Sequence, residues 1–139
     1  MKNAAQEAAA ICFSFRIFYF IFFIFHFFMS TINQLDVLAP FEIWEIPFGD
    51  RTIKFFEPLL LEPEILPPEG PTDRTYLVVD VPELNISVHA DNREDLLDFI
   101  HSEIRFIWRH IVLVPDNAQN HESNRIKRNF LAIAEVIDG

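Results

Sequence analysis

Apolar and polar residues alternate over FEIWEIP (41–47), with Phe41, Ile43 and Ile46 set against Glu42 and Glu45, which predicts a half-buried β-strand. Trp44 breaks the strict alternation. Pro47-Phe48-Gly49-Asp50 is a turn signal, and RTIKFFEPLLLEPEIL (51–66) resumes as one or two strands. Pro58 and Pro63 lack a backbone donor and restrict that stretch to edge or bulged pairing. PPEGPTD (67–73) is a loop by composition. TYLVVDV (75–81) is rich in β-branched and aromatic residues and is the clearest strand. Val81-Pro82-Glu83-Leu84 turns the chain, and Asn85 to His89 alternates as a second half-buried strand with Ile86 and Val88 inward.

Asp91 predicts a helix start, with Glu94 as its capping-box partner. Leu96, Leu97, Ile100, Ile104, Ile107, Trp108 and Ile111 then recur at helical spacing, while Asp98, Glu103, Arg105 and Arg109 fall mostly outside that stripe. This helix ends near Ile111, ahead of Pro115. A second helix is predicted from about Glu122 to Ile137, burying Ile126, Phe130, Ile133, Ala134 and Ile137. Together these elements give an α+β fold. A small antiparallel sheet carries a long amphipathic helix on one face, and a second helix follows at the C-terminus.

Nine of the 16 Phe of this 139-residue chain lie between Phe13 and Phe28, so the chain divides into two parts. Residues 1–28 are a Phe-rich apolar segment, and residues 29–139 are a single acidic domain with room for one modest core. Ile11 to Met29 is interrupted only by Ser14, Arg16 and His26. As a helix it would span about 28 Å, close to the hydrocarbon thickness of a bilayer. Two readings stay open. An A/T-rich stretch ahead of a gene translates into Phe, Ile and Tyr, and MSTINQLDVL reads as an ordinary soluble start, so Met29 is the expected first residue of a cytoplasmic protein. Alternatively the segment is an uncleaved membrane anchor. A native chain whose intact mass begins at Met29 or Ser30 eliminates the anchor.

Removing Lys2, Arg16 and Glu7 from the totals leaves 9 basic and 20 acidic residues in 29–139, a net charge of −11. Phosphate binding needs clustered Lys and Arg, so this balance argues against a direct grip on nucleic acid and suits a basic partner. The one basic run, Arg125-Ile126-Lys127-Arg128, lies on an amphipathic helix and reads as a solvated face. Cys12 is the only cysteine, which excludes an internal disulfide and a cysteine-based zinc site. His101 and His110 are nine residues apart, half a turn out of phase, and cannot share a metal from one helix face. Asp80, Glu83, Asp91 and Glu94 gather around the hairpin and helix start, where capping and an exposed turn account for them. Ser87 and Ser102 lie in no nucleophile motif, and three glycines cannot build a phosphate loop. The residues therefore point to no catalysis, no cofactor and no metal.

TYLVVDVPELNISVHADNREDLLDFIHSEIRFIW (75–108), from the stretch Tyr76 to about Ile111, resembles the core of the HicB-like antitoxin family: strand, Pro-Glu-Leu turn, strand, polar cap, acidic amphipathic helix. Glycines usual after the Leu and before the helix-starting Asp are replaced by Asn85 or Ile86 and by Ala90. The resemblance implies a partial ribonuclease H-like fold of three or more antiparallel strands under a helix. It also implies a role in neutralising a small basic HicA-type ribonuclease, with no catalytic residues to transfer. The exposed acidic positions expected to meet such a partner are Glu83, Asp95, Asp98 and Glu103. The other expectation is an accessory or structural domain, membrane-tethered if residues 11–29 are an anchor. A homo-oligomer is left open.

Overall fold

A computed structural model describes residues 20–25, 36–71 and 74–139. Residues 20–25 are helical and exposed; the rest of the expected start or anchor over 11–29 lies outside the described residues. Among the described residues, no helix is long and apolar enough to cross a membrane.

The acidic part is α+β, as the patterning predicts, but it holds two three-stranded antiparallel sheets rather than one. In the first, β1 (Phe41–Phe48), β2 (Arg51–Leu61) and β6 (Ala134–Asp138) run in the order β1-β2-β6. In the second, β3 (Glu64–Leu66), β4 (Tyr76–Val81) and β5 (Ile86–Ala90) run in the order β3-β4-β5. Gly49 opens the two-residue turn between β1 and β2 with φ 66°, a left-handed conformation that costs glycine nothing. The break in alternation at Trp44 has a structural cause. Ile43 pairs with Leu59 but Glu45 pairs with Lys54, so the segment around Pro58 bulges out opposite Trp44. Pro58 thus sits where no ladder donor is required, as its missing N–H demands.

Between β4 and β5 the chain turns through a single 3₁₀ turn, Pro82–Leu84, and Asn85 closes it at φ 56°. Asn reaches this left-handed region more readily than any residue but glycine. The helix that follows, α1 (Arg93–Ile107), does not use the expected Asp91–Glu94 cap. Its N-cap is Asn92, whose Oδ1 accepts from the Asp95 N–H at 2.8 Å while its Nδ2 donates to the Asp95 carboxylate at 2.9 Å. A short amide one position later can satisfy both groups at once, and Asp91 is left facing Arg74 at 3.9 Å. Trp108–Val112 continue α1 as one π turn, with Leu113 N–H donating to the Trp108 carbonyl at 3.0 Å. The wider turn rotates Val112 back onto the buried face, where it is 5% exposed.

The second helix, α2 (His121–Ile133), is capped by Asn120 and ends four residues earlier than its periodicity predicts. Ala134 to Asp138 instead pair with Phe55 to Arg51 as β6. Ala134 points inward as expected, but Val136 takes the inner position that the helical period assigns to Ile137.

Residues 37–139 form one compact unit around one core. Ile46, Ile53 and Phe55 from the first sheet and Val79 and Ile86 from the second meet Leu96, Ile100, Ile104, Ile107 and Trp108 from α1. Ile126 and Phe130 bring α2 against the π turn and the Pro82–Leu84 turn. Every fully buried side chain described is apolar, which is the arrangement that avoids desolvating charge.

Candidate functional site: an acidic helix beside an open strand edge

Helix α1 touches the two sheets with opposite flanks. On one flank Arg105 Nη1 lies 3.5 Å from the Pro47 carbonyl and the Arg109 guanidinium lies 5.8 Å from the Phe48 ring centre, both at the end of β1. The other flank overhangs β5. Asp95, Phe99, Ser102, Glu103, Phe106 and His110 fall within an arc of about 100° on that flank, and no Lys or Arg of α1 shares it. Phe99 is 48% exposed and Phe106 is 57% exposed. The Phe106 and His110 rings stack at a tilt, with centroids 4.4 Å apart.

Below this flank, β5 is the last strand of its sheet, and no described strand pairs with its outer edge. Ser87, Val88 and His89 of β5 and Phe99, Ser102, Glu103 and Phe106 of α1 line an open groove of about 450 Å³. Tyr76 supports His89 from the neighbouring strand, edge to face at 5.6 Å.

The four acidic positions expected from the sequence do not form one group. Asp95, Asp98 and Glu103 ride on α1, whereas Glu83 sits in the 3₁₀ turn next to α2, held there by Asn129 Nδ2 donating to its carbonyl at 2.7 Å. The Glu83 charge also helps raise the Arg125 pKa, behind the dominant hydrogen bond and charge of Glu122. Asp95 is engaged in the cap, Asp98 faces His101, and Glu103 lines the groove. Phe99 and Phe106 were missed by sequence reasoning, although their signal was present: two large apolar residues seven apart and off the buried stripe.

His101 carries a lowered pKa. Burial is the largest cause, the Arg105 charge adds to it, and Asp98 opposes both. Its imidazole titration, followed by NMR, is expected to have a midpoint below 6.5, and Asp98→Asn is expected to move the midpoint lower still. A depressed folded-state pKa means that the unfolded chain binds the proton more readily. The stability from neutral His101 is therefore complete above 6.5, falls as the pH drops below 6.5, and levels off beneath the folded-state pKa.

The basic run on α2 is largely consumed within the fold. Arg125 Nε donates to Glu122 at 3.0 Å, Ile126 is buried, and Lys127 Nζ bridges the Val114 carbonyl at 2.7 Å and the Asp116 carboxylate at 2.8 Å. Gln119 Nε2 donates to the Ile111 carbonyl at 3.2 Å and to Asn124 Oδ1 at 2.9 Å, which satisfies one of the last carbonyls of the long helix. Among the described residues, no group of three or more His, Cys, Asp or Glu is placed to hold a metal ion.

Fold and site together define a small acidic α+β domain that presents an unpaired strand edge beside an aromatic and carboxylate-bearing helix face. Comparison with protein-family models, curated proteins and solved structures finds no match for the chain.

Proposed function

We propose that this chain is a non-catalytic protein-binding module of HicB-like antitoxin type, which binds and neutralises a small basic toxin. The reading rests on the unit from Tyr76 to Ile107. Two antiparallel strands joined by a Pro-Glu-Leu turn, with β3 beside them, lie under an acidic amphipathic helix. That is the arrangement which the resemblance of these residues to the family implies. The overall charge of −10 supports a basic partner, because opposite fields raise the association rate and fix orientation.

The test is a growth assay. A small basic protein encoded beside this chain is expected to arrest growth when produced alone, and the chain is expected to restore it and to co-purify with the toxin. Failure to restore growth, with both proteins soluble, removes the reading. With the complex in hand, Asp95→Lys, Asp98→Lys and Glu103→Lys are each expected to slow association by about threefold to tenfold at low salt. Glu83→Lys is expected to have a smaller effect, because Glu83 lies in the turn beside α2, away from the three carboxylates of α1. Unchanged kinetics in all four variants would place the interface elsewhere.

A further inference from the structure

We propose that the free edge of β5 and the overhanging flank of α1 form the docking groove, and that its occupant is an extended, basic segment of the partner protein which joins the sheet as a fourth strand. This deepens the binding-module reading and rests on it.

Three features of the groove specify that occupant. The first is the strand edge. Alternate residues of β5 direct their N–H and C=O groups away from β4, and an extended chain is the ligand that satisfies such a row. The second is aromatic surface. Phe99 and Phe106 stand about 10.5 Å apart along the helix, so together they offer apolar surface along about three residues of a strand laid on β5. Aromatic residues at the centre of a patch commonly carry most of its binding energy. The third is charge. Glu103 lines the groove and Asp95 lies on the same helix flank; Arg109 is directed to the Phe48 ring, and Arg105 lies between the Pro47 carbonyl and Ser102 Oγ, to which its Nη2 donates at 3.4 Å. Asp80, across the ladder from Ser87, adds a further exposed carboxylate on β4. Arg74 lies beyond the end of β5, close to Asp91. An acidic extended segment would meet carboxylates along this path, whereas a basic one pairs with them.

The edge also explains a feature of the helix face itself. A long exposed edge invites self-association, and proteins commonly blunt it with inward charges or prolines. β5 carries neither Pro nor Lys, only Ser87 and His89 on its outer face. Its protection comes from the flank of α1, whose carboxylates repel a second copy of this acidic chain while admitting a cationic strand.

The test uses the full chain with two nine-residue peptides at pH 8, one alternating lysine and valine, the other alternating glutamate and valine. Binding is followed by calorimetry, and amide hydrogen exchange locates the peptide. The lysine peptide is expected to bind and to slow exchange at Ser87 to His89 by about tenfold, with no binding of the glutamate peptide. Phe99→Ser combined with Phe106→Ser is expected to weaken binding by about tenfold or more without lowering the melting temperature, since both rings are exposed. Glu103→Lys is expected to reduce the preference for lysine. If the lysine peptide binds but protects another surface, such as the β1 edge or the bulge around Pro58, the groove is wrong and the binding module stands. If neither peptide binds the folded chain, the groove proposal falls, and the growth assay alone decides the binding-module reading. Concentration-dependent protection of β5 without peptide, together with a dimer in sedimentation, would assign the edge to a second copy and overturn the proposed occupant.

Discussion

Replacing Trp108 with alanine is expected to lower the unfolding free energy by about 3–5 kcal/mol, whereas Trp108→Phe costs about 1 kcal/mol or less. Trp108 is 2% exposed and stands where α1 passes into the π turn, so it touches both helices and the core beneath them. Its ring meets Phe130 edge to face, with centroids 6.1 Å apart. Alanine removes nearly all of that contact and leaves a cavity that close-packed neighbours cannot collapse. Phenylalanine retains most of the volume. It also removes an indole N–H that is buried and finds no acceptor among the described residues, so relief of that desolvation offsets the lost contacts. Urea midpoints of the two variants give both values. Equal losses for Ala and Phe would mean that the indole N–H makes a bond worth keeping. In a double-mutant cycle with Phe130→Leu, the pair is expected to couple by about 0.5–1.5 kcal/mol.

Arg93→Ala is expected to cost about 2–3 kcal/mol, a large effect for a residue at the surface end of a helix. Most surface cations contribute little because water competes for them. Arg93 differs because its guanidinium donates to three carbonyls of one short segment: Val37 at 3.1 Å, Ala39, and Pro40 at 3.3 Å. The same group lies 3.9 Å from the centre of the Phe41 ring. It therefore fastens the approach to β1 onto the first turn of α1, more than 50 residues later in the sequence. Lysine keeps the charge but offers a point donor in place of a planar fork, so Arg93→Lys is expected to recover less than half of the loss. Amide exchange at Leu38, Ala39 and Phe41 should rise in both variants and most in the alanine one. A change confined to the helix start, with the β1 amides unaffected, would show that the carbonyl contacts contribute nothing.

These two expectations and the docking groove share an origin. Each concerns a residue at an end or flank of the apolar stripe of α1: Trp108 where the stripe passes into the π turn, Arg93 at the helix start, and Phe99 and Phe106 on the open flank.

β4, β5, the turn between them and the buried face of α1 follow from the local pattern of the chain. Those elements rest on short-range rules: alternation sets Ile86 and Val88 inward, and the spacing of Leu96, Ile100, Ile104 and Ile107 sets one helix face. The bulge was also legible, since Pro58 cannot donate to a ladder and Trp44 broke the alternation. Tertiary structure decided what depended on distant partners. Ala134 to Asp138 satisfy a helical period and a strand period alike. The unpaired edge of β2 settles the matter by offering Ala134 to Asp138 a full antiparallel ladder. The division into two sheets, the clamp of Arg93 on residues 37–40, and the separation of Glu83 from Asp95, Asp98 and Glu103 have the same cause. Each is set by which chain segments meet across long sequence distances, and local patterning carries no record of that.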